Sequence, residues 1–423
     1  MIDINVLREN PDAVKASERK RGKDQKQVDI VLKLDQQWKK ELKELEQLKR
    51  QRNLVSEEIN QAKKARDEKT AKNKIKKMRE VADDIKNQEE KVDKLLHGRN
   101  VELGKISNVM HPGVPEGKDD SQNVELKTWG KKPEFNFEIK THVELCENLD
   151  LADFETSAKT SGNGFYFLKG KLGLLNQALI RFAIDFMDKK CYQYIEPPLL
   201  IRKQVLNAAI DASEWDKTIY SISGEDLALI GTSEHSLLGI HTGEALTEKQ
   251  LPKKYFSYSM CFRKEVGAHG INDKGLWRTH QFNKVEQFIF CNPEDSEKFF
   301  SELLQNSEEI LQALKLPYRV IEICAGDLAA WKHKSYDLEV WRPTTKEYGE
   351  VMSLSNCTDY QARKLDIKVE RSGTRTVLHT LNNTALATSR IMVAILENNQ
   401  TKKGTIKVPK VLVQYMNGLT EID

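Results

Sequence analysis

Cys261-Phe262-Arg263-Lys264-Glu265-Val266-Gly267-Ala268-His269-Gly270, then Leu276-Trp277-Arg278-Thr279-His280-Gln281-Phe282 and Asn283-Lys284-Val285-Glu286-Gln287-Phe288, reads as strand, glycine-containing loop, strand. Alternation puts Arg263 and Glu265 on one face of the first strand, and Phe282 and Glu286 on one face of the second. On an ordinary half-exposed hairpin these would be the wet side, with Arg and Glu paired across strands. A long loop with Arg278 at its return favours a ligand clamp.

Outward from this hairpin, Tyr318-Arg319-Val320-Ile321-Glu322-Ile323 and Gln287-Phe288-Ile289-Phe290 are strand-like. Apolar helices are expected from about Leu172 to Lys189 and from Ala385 to Asn398. Helices flank strands without alternating regularly with them, which predicts an α+β fold on a largely antiparallel sheet, not a doubly wound parallel one. No Gly-x-x-x-x-Gly-Lys-Ser/Thr loop occurs, so nucleotide chemistry would need another cradle.

The N-terminal part has a different character. Val31, Leu34, Trp38, Leu42, Leu45, Leu48, Val55 and Ile59 recur at three- and four-residue steps, and Ile75, Met78, Ala82, Ile85, Val92 and Leu95 repeat the pattern after a stripe-free stretch from Lys63 to Asn73. Two such helices bury each other's seams as an antiparallel coiled-coil hairpin, about 45 Å long and expected to project from the body. Residues 1–100 hold 27 Lys or Arg against 20 Asp or Glu, a net +7, whereas the remainder carries −4. Lys63, Lys64, Arg66, Lys69, Lys72, Lys74, Lys76 and Lys77 crowd the tip, as a contact tracking a nucleic-acid backbone would require, although a solvated coiled-coil tip could look the same. Proline and glycine from Val109 to Asp120 mark a linker. The expected domains are therefore an arm over 1–110, a linker over 111–130 and a main domain over 131–423.

The chain has 423 residues, 39% hydrophobic and 31% charged, enough for two or three packed domains and unlike a disordered chain. No apolar run approaches the ~20 residues of a membrane-spanning helix and no secretory signal is visible, so a cytoplasmic protein without membrane attachment is expected. The six cysteines stand at least 30 positions apart, and the nine histidines lack H-E-x-x-H spacing. Neither pattern supplies a zinc site.

Phe262-Arg263-Lys264-Glu265, Arg278-Thr279-His280-Gln281-Phe282 and Glu286 resemble motif 2 of the class II aminoacyl-tRNA synthetases, in particular the seryl-tRNA synthetases. Tyr194-Ile195-Glu196-Pro197-Pro198 resembles motif 1, Asn382-Asn383-Thr384-Ala385-Leu386-Ala387-Thr388-Ser389-Arg390 resembles motif 3 at the start of its helix, and Gly231-Thr232-Ser233-Glu234 resembles the Thr-x-Glu loop. With Glu350-Val351-Met352-Ser353 and the N-terminal hairpin, the resemblance runs in order over essentially the whole chain. Ser389, where bacterial members usually carry glycine, and Asn272-Asp273-Lys274-Gly275-Leu276-Trp277, in place of the commoner Asp-Thr-Arg-Gly-Ile-Phe, give it an archaeal or eukaryotic character, the altered loop falling in the region that meets the acceptor end of tRNA.

The resemblance implies L-serine, ATP and tRNA(Ser), with tRNA(Sec) left open, as substrates of a homodimer with its contact at motif 1. It makes Arg263 and Arg390 the catalytic cations. Lys264, Glu265, Arg278, Thr279, Phe282, Val351 and Met352 join them at ATP, and Glu350 and Ser353 hold an accompanying Mg²⁺, with no zinc. Thr232, Ser233, Glu234, Arg263, Glu286 and Thr384 form the serine pocket, Glu286 accepting from the substrate hydroxyl. The basic arm then recognises tRNA by shape. Two other readings compete: a catalytically inactive RNA-binding relative, which should have lost one of the three arginines, and a threonine, proline or glycine enzyme. A threonine enzyme would bring zinc ligands and an editing domain, and the N-terminal hairpin does not suit the others.

Overall fold

The computed structural model describes residues 1–211, 214–267 and 274–423, which divide into two compact units, Met1–Val109 and Met110–Asp423. In the first, short helices α1 (Ile4–Glu9) and α2 (Pro11–Lys20) precede two long antiparallel ones, α3 (Lys26–Lys64) and α4 (Glu68–Leu103). Leu45, Val81, Ile85 and Val92 are buried along their shared seam, while Leu7, Val14, Val28, Val31, Leu103 and Ile106 pack around its base. Within the stripe-free stretch from Lys63 to Asn73 only Ala65–Asp67 turns. Arg66 adopts a left-handed φ of 58°, and the Asp67 carboxylate accepts from the Thr70 N–H. That N-cap starts α4 earlier, and the lysine-rich segment needs no apolar stripe to be helical.

Asp35 interrupts the seam. Only 2% exposed, it accepts from Arg8 at 2.7 and 2.9 Å and from Arg99 at 2.9 Å, while Lys39 approaches to 3.4 Å. Burial opposes its charge, and the bonds from Arg8 and Arg99 more than reverse this, so its pKa falls below the ordinary carboxylate value.

The second unit is built on an eight-stranded sheet. In chain order its elements are β1 (Val124–Trp129), α5 (His142–Asn148), α6 (Gly170–Lys189), β2 (Gln193–Tyr194), α7 (Ser233–Gly239), β3 (Lys253–Phe262), β4 (Gln281–Cys291), α8 (Ser296–Leu314), β5 (Tyr318–Glu322), β6 (Lys334–Arg342), β7 (Glu347–Thr358), β8 (His379–Ala387) and α9 (Thr388–Asn398). Across the sheet the order is β1-β5-β6-β7-β8-β4-β3-β2, and every neighbouring pair is antiparallel except β2–β3. The α+β architecture read from the sequence is the one observed. No helix among the described residues is long and apolar enough to cross a membrane.

Strand β4 separates two cores by simple alternation. Val285, Ile289 and Cys291 join α6, α8 and α9 in the main core, while Phe288 and Phe290 meet Leu237 and Leu238 of α7 on the other face. Lys284 and Glu286 share that second face, at the end of the strand nearer the loop. Two boundaries differ from expectation. Ala385–Ala387 finish β8 and do not begin a helix: past an irregularity at Ala385, Leu386 and Ala387 pair with Val285 and Lys284 of β4. Arg263 and Glu265 lie beyond β3, which ends at Phe262: the Lys264 N–H bonds to the Thr218 carbonyl and Glu265 takes a φ of 50°.

Asp35→Ala should destabilise the first unit by about 3 kcal/mol, since it strands two arginines around a buried site. Hydrogen exchange at the base of α3 and α4 in the full chain measures this loss. The native contribution should be present above about pH 4 and fade as pH falls through the lowered folded-state value.

Candidate active site

The ends of β4, β7 and β8, the start of α9 and the return of the loop surround one cleft. Arg263, Glu265, Trp277, Arg278, Thr279, Phe282, Lys284, Glu350, Val351, Thr384 and Arg390 line it together with Ala387 and Ser389. Most of the residues expected from sequence therefore converge. The Arg263 guanidinium is fixed by a 3.1 Å bond from its Nε to the Gly231 carbonyl and lies 5.2 Å from the Phe282 ring centre. Arg278 donates to Glu265 at 2.8 Å. Arg390 donates to both the main-chain carbonyl and the carboxylate of Glu350, at 2.7 and 3.0 Å.

Beside this cationic floor lies a buried cluster of polar side chains. Glu286 is 1% exposed and pairs through Oε2 with Lys284, while its Oε1 has no hydrogen-bond partner among the described residues. Burial pushes its carboxyl pKa up, and Lys284 works against that shift. Thr232 Oγ1 lies 3.4 Å from Glu286 and accepts from Lys284 Nζ at 3.2 Å, and Thr384 sits opposite Glu286 in the β4–β8 register. Glu234 accepts from Gln361 at 2.9 Å and Asn382 at 3.1 Å. Ser233 is fully buried at the start of α7.

Two expected ATP residues stand apart from the cleft lining. Lys264 Nζ points to the Asp216 carbonyl at 3.5 Å, and Met352 is buried in the main core. Asn272 and Asp273, part of the expected transfer loop, lie outside the described residues. At the arm tip, Lys74 pairs with Glu58 at 2.6 Å, whereas Lys63, Lys64, Arg66, Lys69, Lys72, Lys76 and Lys77 are exposed.

Sequence reasoning did not single out Lys284 or Asp337. Asp337 is the register partner of Ser353 across β6 and β7, and its Oδ1 is buried without a hydrogen-bond partner among the described residues. Burial and the nearby Glu350 raise its pKa to about 7. Around Glu350, desolvation opposes ionisation but the Arg390 guanidinium overcomes it, and the pKa falls. Both missed residues sit inside strands, where one polar position in an alternating pattern carries no local signal.

The N-terminal segment 1–110 matches the family model "Seryl-tRNA synthetase N-terminal domain", and 218–399 matches "tRNA synthetase class II core domain (G, H, P, S and T)". A serine--tRNA ligase of Methanocella arvoryzae is 44% identical over 99% of both chains. The chain belongs to the seryl-tRNA synthetase family. Among solved relatives, the seryl-tRNA synthetase of Pyrococcus horikoshii, crystallised with ATP, superposes with a TM-score of 0.94 at 41% identity, covering 100% of this chain and 99% of its own. The cytoplasmic serine-tRNA ligase of Naegleria fowleri, in complex with AMP, gives 0.90 at 36% identity, with coverages of 100% and 99%.

Lys284→Met leaves the Glu286 charge buried without its partner and should lower unfolding stability by about 3–5 kcal/mol. The double variant Lys284→Met/Glu286→Met should lose clearly less. Denaturant titration of the two single variants and the double variant checks this, and a double-variant loss equal to the sum of the single losses would show that the pair is not coupled.

Proposed function

We propose that this chain joins L-serine to ATP, forming seryl-adenylate and pyrophosphate, and then transfers the seryl group to the 3′-terminal adenosine of tRNA(Ser) with release of AMP. The observation that carries the serine specificity is the free Oε1 of buried Glu286 beside the cationic cleft. A sealed acceptor is satisfied by the substrate hydroxyl and left unpaired by alanine or glycine, a distinction an apolar pocket makes poorly. Thr232, Ser233, Glu234 and Thr384 complete that pocket.

Attack by the serine carboxylate on the α-phosphorus builds negative charge on the phosphoryl oxygens and on departing pyrophosphate. Arg263 can bridge the carboxylate and the α-phosphate because its guanidinium fork suits both oxyanions. Arg278 would take the γ-phosphate end. The phosphates would take Arg278 from Glu265, freeing that carboxylate to accept from the adenine amino group, with the Thr279 main chain beside it. Phe282 and Arg390 would enclose the base.

The donor set also suits Mg²⁺: Glu350 and Ser353 supply a carboxylate and a hydroxyl oxygen, and the orphaned Oδ1 of Asp337 is a further hard oxygen in the same neighbourhood. Bound there, the ion would neutralise charge on the polyphosphate. Glu350 can serve it once ATP engages Arg390. A cytoplasmic homodimer fits the exposed Leu174, Tyr194 and Leu200 around motif 1, at 53%, 38% and 42%. Sedimentation at micromolar concentration should give twice the chain mass, and a monomer there would refute the dimer.

The exposed cations at the tip of the first unit suit the backbone of tRNA. ATP–pyrophosphate exchange should require serine and should not proceed with threonine, alanine or glycine. Glu286→Ala and Arg263→Ala should each reduce it by about 10²-fold or more. Lys69→Glu/Lys72→Glu/Lys76→Glu should leave exchange intact while tRNA charging falls. Silence from folded wild-type protein that still binds tRNA would favour an inactive RNA-binding relative.

A further inference from the structure

The returning arm of the loop that carries Trp277, Arg278 and Thr279 is tied to the end of α9 through a residue far from every sequence motif. His142, 7% exposed at the first position of α5, receives the Leu276 main-chain N–H on Nε2 at 3.2 Å, and its Nδ1 lies 3.0 Å from Glu397 Oε1. An amide N–H can only donate, so Nε2 must be the lone-pair nitrogen. The proton therefore resides on Nδ1 and is given to Glu397. One neutral tautomer satisfies both bonds, and protonation of Nε2 would break the bond to Leu276.

Glu397 is fully buried in α9 and also accepts from Arg342 at 3.1 Å and from the Thr344 hydroxyl at 2.8 Å. Burial opposes its charge, but His142 and Arg342 hold its pKa below the usual value. The Arg342 guanidinium in turn lies 4.3 Å from the Trp277 ring centre, and Arg390, on the same helix as Glu397, lies 5.3 Å from it and donates through Nε to the Trp277 carbonyl. Two glycines make these approaches possible. A Cβ at Gly275 would stand 2.6 Å from His142 Nε2, and one at Gly349 would stand 2.4 Å from the Trp277 ring.

We propose that His142 is a positioning residue for amino-acid activation: relaying Glu397 to the Leu276 amide, it fixes the loop's returning arm against α9, so that Arg278 and Arg390 meet one ATP in register. It touches neither substrate. The inference rests on the activation reaction proposed above.

The two bonds can be separated chemically. Glutamine at 142 can place an acceptor near the position of Nε2, whereas asparagine can donate to Glu397 from near Nδ1 but falls short of Leu276. In serine-dependent ATP–pyrophosphate exchange with the full chain, His142→Asn and His142→Ala should raise the KM for ATP roughly tenfold while the KM for serine holds. His142→Gln should stay within about threefold of wild type. Gly275→Ala, which forces the loop off an intact histidine, should reproduce the asparagine result and add little to it in the double variant.

If Asn and Ala variants with wild-type melting temperatures keep the wild-type KM for ATP, or if both KM values rise equally, the positioning role is wrong. Should the His142 variants fail to fold, Gly275→Ala alone decides, by the same split between the two KM values. Absence of exchange in the wild type would instead overturn the activation reading itself.

Discussion

Keeping the Glu286 carboxylate out of water while one of its oxygens stays unpaired is the most demanding constraint in the second unit. An unsatisfied buried acceptor costs about 1–3 kcal/mol, and an unpaired buried charge costs considerably more. Lys284, two residues earlier on the same face of β4, removes the larger part of that penalty without occupying Oε1. The arrangement needs β4 in the interior of a sheet, flanked by β3 and β8, with Thr232 at the start of α7 closing one side and Thr384 the other. Strand alternation, α7 and the main core beneath β4 thus hold one oxygen dry and unpaired.

Next to this pocket the cations are ordered by carboxylates and main-chain oxygens. Gly231 holds Arg263, Glu265 holds Arg278, and Glu350 holds Arg390. Each guanidinium is directed before any phosphate arrives, so little side-chain freedom has to be lost when charge develops. The acids that direct them are themselves suited to the amino group of adenine and to a hard cation. On the proposed reading, ATP binding would exchange ion pairs within the cleft, with no burial of naked charge.

The candidate residues that the fold gathers at or beside the cleft were legible where several lay close together in the chain. Arg263, Glu265, Arg278, Phe282 and Glu286 fall within one strand-loop-strand, so spacing and residue type spoke together. The antiparallel sheet was legible from its strand-like runs and flanking helices, and the hairpin from its apolar stripe. Asp337, Lys284 and His142 were not legible. Each occupies an ordinary position in its own element and gains meaning only from a partner brought near by the fold: Ser353 across a strand pair, Glu286 one pleat along, and Glu397 at a sequence separation of 255. The arm tip failed differently. The stretch from Lys63 to Asn73 has no apolar stripe to place the turn within it, yet Asp67 caps a helix there, because lysine and glutamate sustain a helix that has nothing to bury.

The central claim is that Glu286 Oε1 reads the serine hydroxyl. A crystal structure of the full chain with a non-hydrolysable seryl-adenylate analogue tests it directly. The hydroxyl should lie within about 3 Å of Glu286 Oε1, with Lys284 still on Oε2 and the adenine between Phe282 and Arg390. A hydroxyl turned toward other groups, with Oε1 still unpaired or bridged only by water, would contradict the account.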